Sequence, residues 1–127
     1  MENLSIKAGQ RLPMVEFNAD TGILEIKGRS LQGSDPLYKD LYDSIFDWLD
    51  KYIQQPAPKT VISVQLEYFC TATSKNLLNI FQILEKVFLA GHDVSINWYC
   101  PKEDEDITEA GYEYKELLKV PVTLINY

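Results

Sequence analysis

The sequence predicts an α/β fold: a single mixed, mostly parallel sheet with an N-terminal antiparallel hairpin and about three helices. Three observations carry that expectation. Runs of period-two alternation, rich in β-branched residues, recur along the chain and are separated by runs with the 3.6-residue period of a helix. Two short strand-like runs near the start are joined by a linker of hairpin length. After them, strand and helix patterns alternate, the order that links parallel strands through right-handed crossovers. At 127 residues the chain is expected to be one domain, residues 1–127, able to bury a core without metal or disulfide staples.

The elements follow in order. Leu4-Ser5-Ile6-Lys7 starts a short strand. Met14–Phe17 and Ile23–Ile26 make the hairpin, around the turn-rich Asn18-Ala19-Asp20-Thr21-Gly22. Gly28 to Pro36 reads as a loop, with Ser34 or Asp35 as a helix cap and Pro36 in the first helical turn. Leu37, Leu41, Ile45 and Leu49 then mark one helix face, with Tyr42, Phe46 and Ile53 alongside; Pro56 and Pro58 end it. Thr60 to Phe69 is a strand in which Ile62, Val64, Leu66 and Tyr68 alternate with more polar positions. Cys70-Thr71-Ala72-Thr73-Ser74 breaks that pattern. The helical period returns from Lys75 with Leu77, Phe81, Leu84 and Phe88, and Gly91-His92-Asp93 closes it. Val94–Tyr99 is a further strand and Pro101 to Asp106 an acidic loop. Asp106 or Thr108 is the expected cap of a last helix through Leu118, and Val120 to Ile125 the final strand.

Charge and composition narrow the function. Nineteen acidic residues against twelve basic ones give a net charge of -7. Such a surface repels phosphate backbones and anionic membranes, so neither nucleic acid nor membrane is the expected partner. Apolar runs are broken by charge well before the about 18 residues a membrane span needs. Cys70 and Cys100 have neither metal-ligand spacing nor a disulfide framework and read as reduced thiols. The opening Met1-Glu2-Asn3-Leu4 carries no signal-peptide pattern, so a cytoplasmic location is expected.

Catalytic patterns are poor. The one histidine, His92, sits in a Gly-His-Asp turn with no nucleophile near it in sequence, and Cys70 has no evident base. Gly-rich phosphate loops and nucleophile elbows are missing from the sequence. Glu103-Asp104-Glu105-Asp106 lacks the glycine and spaced ligands of a calcium loop and reads as a solvated loop or a docking surface for a basic partner. The expectation is a protein that is not an enzyme and needs no cofactor or metal. Tyr38, Tyr42, Phe46, Trp48 and Tyr52 form a girdle wider than one helix stripe, which serves as core or, in part, as a partner contact.

The most informative segment is Tyr68-Phe69-Cys70-Thr71-Ala72-Thr73-Ser74-Lys75, where a strand gives way to a helix. Functional sites gather at the carboxyl ends of strands in such sheets. A helix start presents unpaired N–H groups and a partial positive charge that favour a phosphate. On spacing alone, hydroxyls at such a turn are more commonly helix caps than modification sites.

The chain resembles the SiaC-type regulatory phosphoproteins of bacteria. Four stretches carry the likeness: Gly28-Arg29-Ser30; Trp48-Leu49-Asp50-Lys51-Tyr52; Tyr68 through Lys75; and Trp98-Tyr99 with Glu103 to Asp106, Glu109-Ala110-Gly111 and Lys119-Val120-Pro121. The family motif runs aromatic, Phe, Asn, Thr, Ser, Ser, small, Lys. Here Cys70 replaces the Asn, Ala72 and Thr73 take the serine positions, and the threonine is kept as Thr71. After Gly28-Arg29-Ser30, where relatives tend to carry a Pro-Glu pair, this chain has Leu31-Gln32-Gly33-Ser34-Asp35-Pro36.

The resemblance implies a fold like that of STAS-type anti-sigma-factor antagonists. It implies a phosphoacceptor at Thr71, with Thr73 and Ser74 as neighbours that assist or serve as alternate sites. It implies a cognate serine/threonine protein kinase, a metal-dependent serine/threonine phosphatase, and a diguanylate cyclase that the unphosphorylated form binds and activates, raising cyclic di-GMP and promoting biofilm. The alternative is an antagonist in a sigma-factor partner-switching pathway.

Overall fold

Both periods in the sequence become the elements they announce. The computed structural model describes residues 1–33 and 36–127. In chain order the elements are β1 (Leu4–Ile6), β2 (Met14–Phe17), β3 (Ile23–Ser30), α1 (Leu37–Tyr52), β4 (Lys59–Phe69), α2 (Thr71–Leu89), β5 (Asp93–Cys100), α3 (Glu105–Leu117) and β6 (Val122–Asn126). The strands form one sheet in the order β1-β2-β3-β4-β5-β6. β1, β2 and β3 pair antiparallel; β3 through β6 pair parallel.

Sequential parallel strands joined by right-handed crossovers put every crossover helix on the same face of the sheet. The burial pattern agrees: Thr60, Ile62, Val64 and Leu66 of β4 are buried, while Val61, Ser63 and Gln65 remain half-exposed. One open face is why these parallel strands alternate in polarity instead of reading as continuous apolar runs.

The structure departs from the expected elements at several points: β3 runs on through Gly28-Arg29-Ser30, expected as loop, because these residues pair with β4, and β6 starts at Val122 and not Val120. Four further differences matter for the site and the core. First, α2 begins at Thr71, not Lys75. Its inward stripe is Thr73, Leu77, Ile80, Phe81, Leu84 and Val87, so its first inward residue is a polar one that hides the helical period. Second, the buried stripe of α1 is Tyr38, Leu41, Tyr42, Ile45, Trp48, Leu49 and Tyr52, whereas Leu37 is 56% exposed. The aromatic girdle is therefore core, with Phe46 alone of the five half-exposed. Trp48 stacks on Tyr52 with ring centroids 4.8 Å apart and packs against Phe17 at 5.2 Å.

Third, α3 is capped by neither Asp106 nor Thr108. Asp104 caps it, accepting from the Ile107 N–H at 3.0 Å, so that Glu105 and Asp106 fall in the first turn, where the helix dipole favours them. Fourth, Tyr68 is not among the inward set. The β3–β4 register skips Glu67, because Gly28 pairs with Leu66 and Arg29 with Tyr68. This bulge resets the alternation, and Tyr68 emerges 61% exposed. Gly28, at φ +122, supplies the backbone freedom beside it. The proposed Ser34 or Asp35 cap of α1 lies outside the described residues.

Candidate phosphoacceptor site

The parallel strands β3, β4 and β5 all finish at one edge of the sheet, and α1, α2 and α3 all start there. β4 passes into α2 through a single residue, Cys70, whose extended backbone (φ -90, ψ 173) makes it the N-cap. Its side chain forms no cap bond to the backbone. Its N–H instead donates to the Ser30 carbonyl at 3.2 Å, tying the start of α2 to the end of β3. The first helical bond runs from the Ser74 N–H to the Cys70 carbonyl at 3.1 Å. The N–H groups of Thr71, Ala72 and Thr73 precede that ladder.

Thr71 is the first residue of α2 and is exposed. Its hydroxyl has no hydrogen-bond partner among the described residues. Thr73, two residues on, is fully buried. Ser74 is half-buried, and its carbonyl accepts from the Tyr114 hydroxyl at 3.0 Å. The segment thus presents Thr71 to solvent and turns Thr73 inward.

Thr73 is the hub of a buried hydroxyl network. Its Oγ1 donates to the Ser30 carbonyl at 2.9 Å and lies 2.8 Å from Ser30 Oγ and 2.8 Å from Tyr38 Oη. Tyr42 Oη is 2.6 Å from Ser30 Oγ, and Asn76 Nδ2 donates to Tyr38 Oη at 3.1 Å. A hydroxyl has one proton and two lone pairs. The Ser30 carbonyl can only accept, so it takes the Thr73 proton. Both Thr73 lone pairs then receive protons from Ser30 and Tyr38. Ser30 in turn accepts from Tyr42, and Tyr38 accepts from Asn76. Every proton in the cluster points towards Thr73 and ends on the Ser30 carbonyl. Burial raises the Tyr42 and Tyr38 phenols above their ordinary value, which keeps both as donors.

Cys70 Sγ lies 3.4 Å from Thr73 Oγ1. Burial raises its thiol, but hydrogen bonds from the Thr73 hydroxyl and the Gln32 backbone outweigh it and bring the thiol down to about 7. Thr73 has only one proton to give, so an ionised Cys70 competes with the Ser30 carbonyl for it.

The remaining candidates lie elsewhere. His92 is exposed in the turn after α2, at the opposite end of that helix from Thr71. Cys100 is buried in β5, with Sγ 3.4 Å from Asn126 Oδ1. Glu103, Glu105 and Asp106 are exposed and Asp104 is the α3 cap. Among the described residues no group of three His, Cys, Asp or Glu side chains is placed to hold a metal ion. No helix among the described residues is long and apolar enough to cross a membrane. Ser30, Tyr38, Tyr42 and Asn76 are the site residues the sequence alone did not bring together. Their only signals were the Gly28-Arg29-Ser30 stretch and the four-residue spacing of two tyrosines.

The sequence profile of SiaC family regulatory phosphoproteins matches residues 6–127. The chain belongs to the SiaC family. An uncharacterised protein of Pseudomonas aeruginosa (strain UCBPP-PA14) is 23% identical over 124 residues, spanning 98% of this chain and 96% of that relative. Solved SiaC structures share the fold. Apo-SiaC from P. aeruginosa superposes with a TM-score of 0.85 at 22% identity, over 98% of this chain and 99% of that one. SiaC in complex with the diguanylate cyclase SiaD, which it activates, superposes at 0.87 and 22% identity with the same coverage.

Proposed function

We propose that this chain is a phosphorylation-switched activator of a diguanylate cyclase, docking when Thr71 is unmodified and releasing when Thr71 carries phosphate. It acts in the cytoplasm as a regulator and not as an enzyme. A cognate serine/threonine kinase adds the phosphate and a metal-dependent phosphatase removes it. The observation that carries this reading is the exposed, unengaged Thr71 hydroxyl at the first position of α2, in a family of regulatory phosphoproteins. The cyclase complex of the P. aeruginosa relative supports the choice of partner.

The physics of the switch is local. A phosphate brings about -1.5 to -2 charges. The free N–H groups and positive end of α2 offset much of that inside the protein. At a docked interface the same charge must be desolvated without a matching partner. A loss of about 2–4 kcal/mol, or roughly 30- to 1000-fold in affinity, is expected.

Incubation with the kinase, intact-mass spectrometry and site mapping test the acceptor; phosphate mapped to another residue rejects Thr71. Titration against the cyclase tests the switch. Thr71→Ala should bind in the presence of active kinase, and Thr71→Glu should bind roughly 30-fold or more weakly. Equal affinity for both variants and wild type would sink the idea. A pull-down that recovers a sigma-regulating kinase and no cyclase would move the chain to the sigma-factor alternative.

A further inference from the structure

Several features outside the acceptor itself invite a role, and the hydroxyl network beneath it is the one whose geometry is complete. We propose that Thr73 is the positioning residue of the switch, locking the first turn of α2 so that Thr71 is held outward in one orientation; this rests on the reading of Thr71 as phosphoacceptor.

The N-cap does not supply the lock, because the Cys70 side chain makes no cap bond. Something else must fix the first turn of a helix whose entry is a single extended residue. Thr73 does so from the third position of the helix. It reaches β3 through the Ser30 carbonyl at 2.9 Å and Ser30 Oγ at 2.8 Å, and α1 through Tyr38 Oη at 2.8 Å. The same Ser30 carbonyl accepts the Cys70 N–H at 3.2 Å. One carbonyl on β3 therefore holds the residue before Thr71 and the residue two after it, so Thr71 lies on a segment pinned on both sides. The side chains involved are buried and leave no buried polar side-chain atom unsatisfied among the described residues. A phosphoryl transfer needs its acceptor oxygen held in line, and misplacement by about 1 Å costs on the order of 100-fold.

Removing the Thr73 hydroxyl while keeping its shape, with Thr73→Val, leaves two buried donors without an acceptor. A matched control exists at the other end of the sheet. Thr60, also fully buried, bonds Tyr52 Oη at 2.8 Å near the start of β4, at the opposite end of that strand from the Thr71 turn. Thr60→Val removes a comparable buried hydroxyl without touching the lock.

The experiment measures, for wild type, Thr73→Val, Thr73→Ser, Tyr38→Phe and Thr60→Val, two quantities on the full chain. The first is amide hydrogen exchange at Cys70 and Ser74, which needs no kinase. The second is kcat and KM for Thr71 phosphorylation by the cognate kinase. Thr73→Val should speed exchange at both amides and lower kcat by about tenfold with KM little changed, since docking contacts survive and orientation does not. Thr73→Ser should restore both readouts. Tyr38→Phe, the milder change if Thr73→Val folds poorly, should move them in the same direction. Thr60→Val should lower stability without moving either. Wild-type exchange and kcat in Thr73→Val or Tyr38→Phe, or an equal kcat loss in Thr60→Val, overturns the lock. Failure of the wild type to accept phosphate on Thr71 rejects the acceptor reading instead, while the exchange data still judge the lock.

Discussion

Cys70 shows how a poor N-cap residue is offset by its surroundings. An N-cap is normally filled by Asn, Asp, Ser or Thr, whose oxygen accepts an N–H two or three residues on. Sulfur is a weak acceptor, and Cys70 makes no such bond. The hydroxyl network carries the restraint that the cap does not. Thus Cys70→Asn should add a cap to a helix start already pinned by Thr73, worth about 1 kcal/mol. For a chain of this size that is a Tm rise of about 4 °C, readable by calorimetry at neutral pH. An unchanged or lowered Tm would mean the Asn oxygen cannot reach the N–H groups of the first turn.

Elements meet at contacts of unequal tolerance, and α3 lies tightly on β5. Gly111 lies over the indole of Trp98: a Cβ built there falls within 2.9 Å of Nε1 and closer still to Cδ1, and within 3.1 Å of Leu124 Cγ. Trp98 cannot step aside, because it is 1% exposed, donates from Nε1 to the Ile107 carbonyl at 2.8 Å, and packs edge-on against Phe69 and Tyr114. Gly111→Ala should therefore cost about 1–3 kcal/mol by overpacking, despite the better helix propensity of alanine, and denaturant titration measures it. An Ala variant as stable as wild type would show that α3 can lift off the sheet freely. The Glu109-Ala110-Gly111 stretch was visible in the sequence as part of the family resemblance, yet the reason for the glycine is not, since it depends on which indole lies opposite. The same holds for the other misread elements. Order and type of strand and helix were legible, because period two and period 3.6 are properties of local sequence. The bulge at Glu67 that exposes Tyr68, the polar inward residue that hid the start of α2, and the one-residue turn of the α1 stripe towards Tyr38 are all set by partners distant in the chain. At the candidate site Thr71 was legible as a hydroxyl at a strand-to-helix turn. The division of labour between an outward Thr71 and an inward Thr73 was not, for it follows from where the Ser30 carbonyl sits.

Across the whole molecule, helices on one face leave a single core that must satisfy its own polar groups, and tyrosine hydroxyls do much of that. Tyr38 and Tyr42 serve the network at the start of α2, and Tyr114 bonds the Ser74 carbonyl from α3. Burial raises all three phenols from their ordinary value of 10.0, Tyr114 to about 12. A group whose folded value is raised binds its proton more tightly in the native state, so its contribution is fully present below pH 10 and is lost as pH rises towards 12. Cys70 has the opposite sign. Its thiol, lowered to about 7 from 9.0, adds stability above the higher value that is lost as pH falls through the lower one. Taken together these groups predict stability that climbs from about pH 7 to about pH 9 and falls beyond about pH 10. Thermal unfolding followed across that range should show both limbs. Cys70→Ser should flatten the rising limb, and Tyr114→Phe should weaken the falling one by removing a phenol that must otherwise ionise. The phenols of Tyr38, Tyr42 and Tyr114 should ionise only as the fold is lost, so that part of the tyrosinate absorbance should rise together with the loss of native circular dichroism. A single tyrosine titration near the ordinary value, with the native circular dichroism intact throughout, would show that the core hydroxyls open to water without unfolding, and the pinned helix start with them.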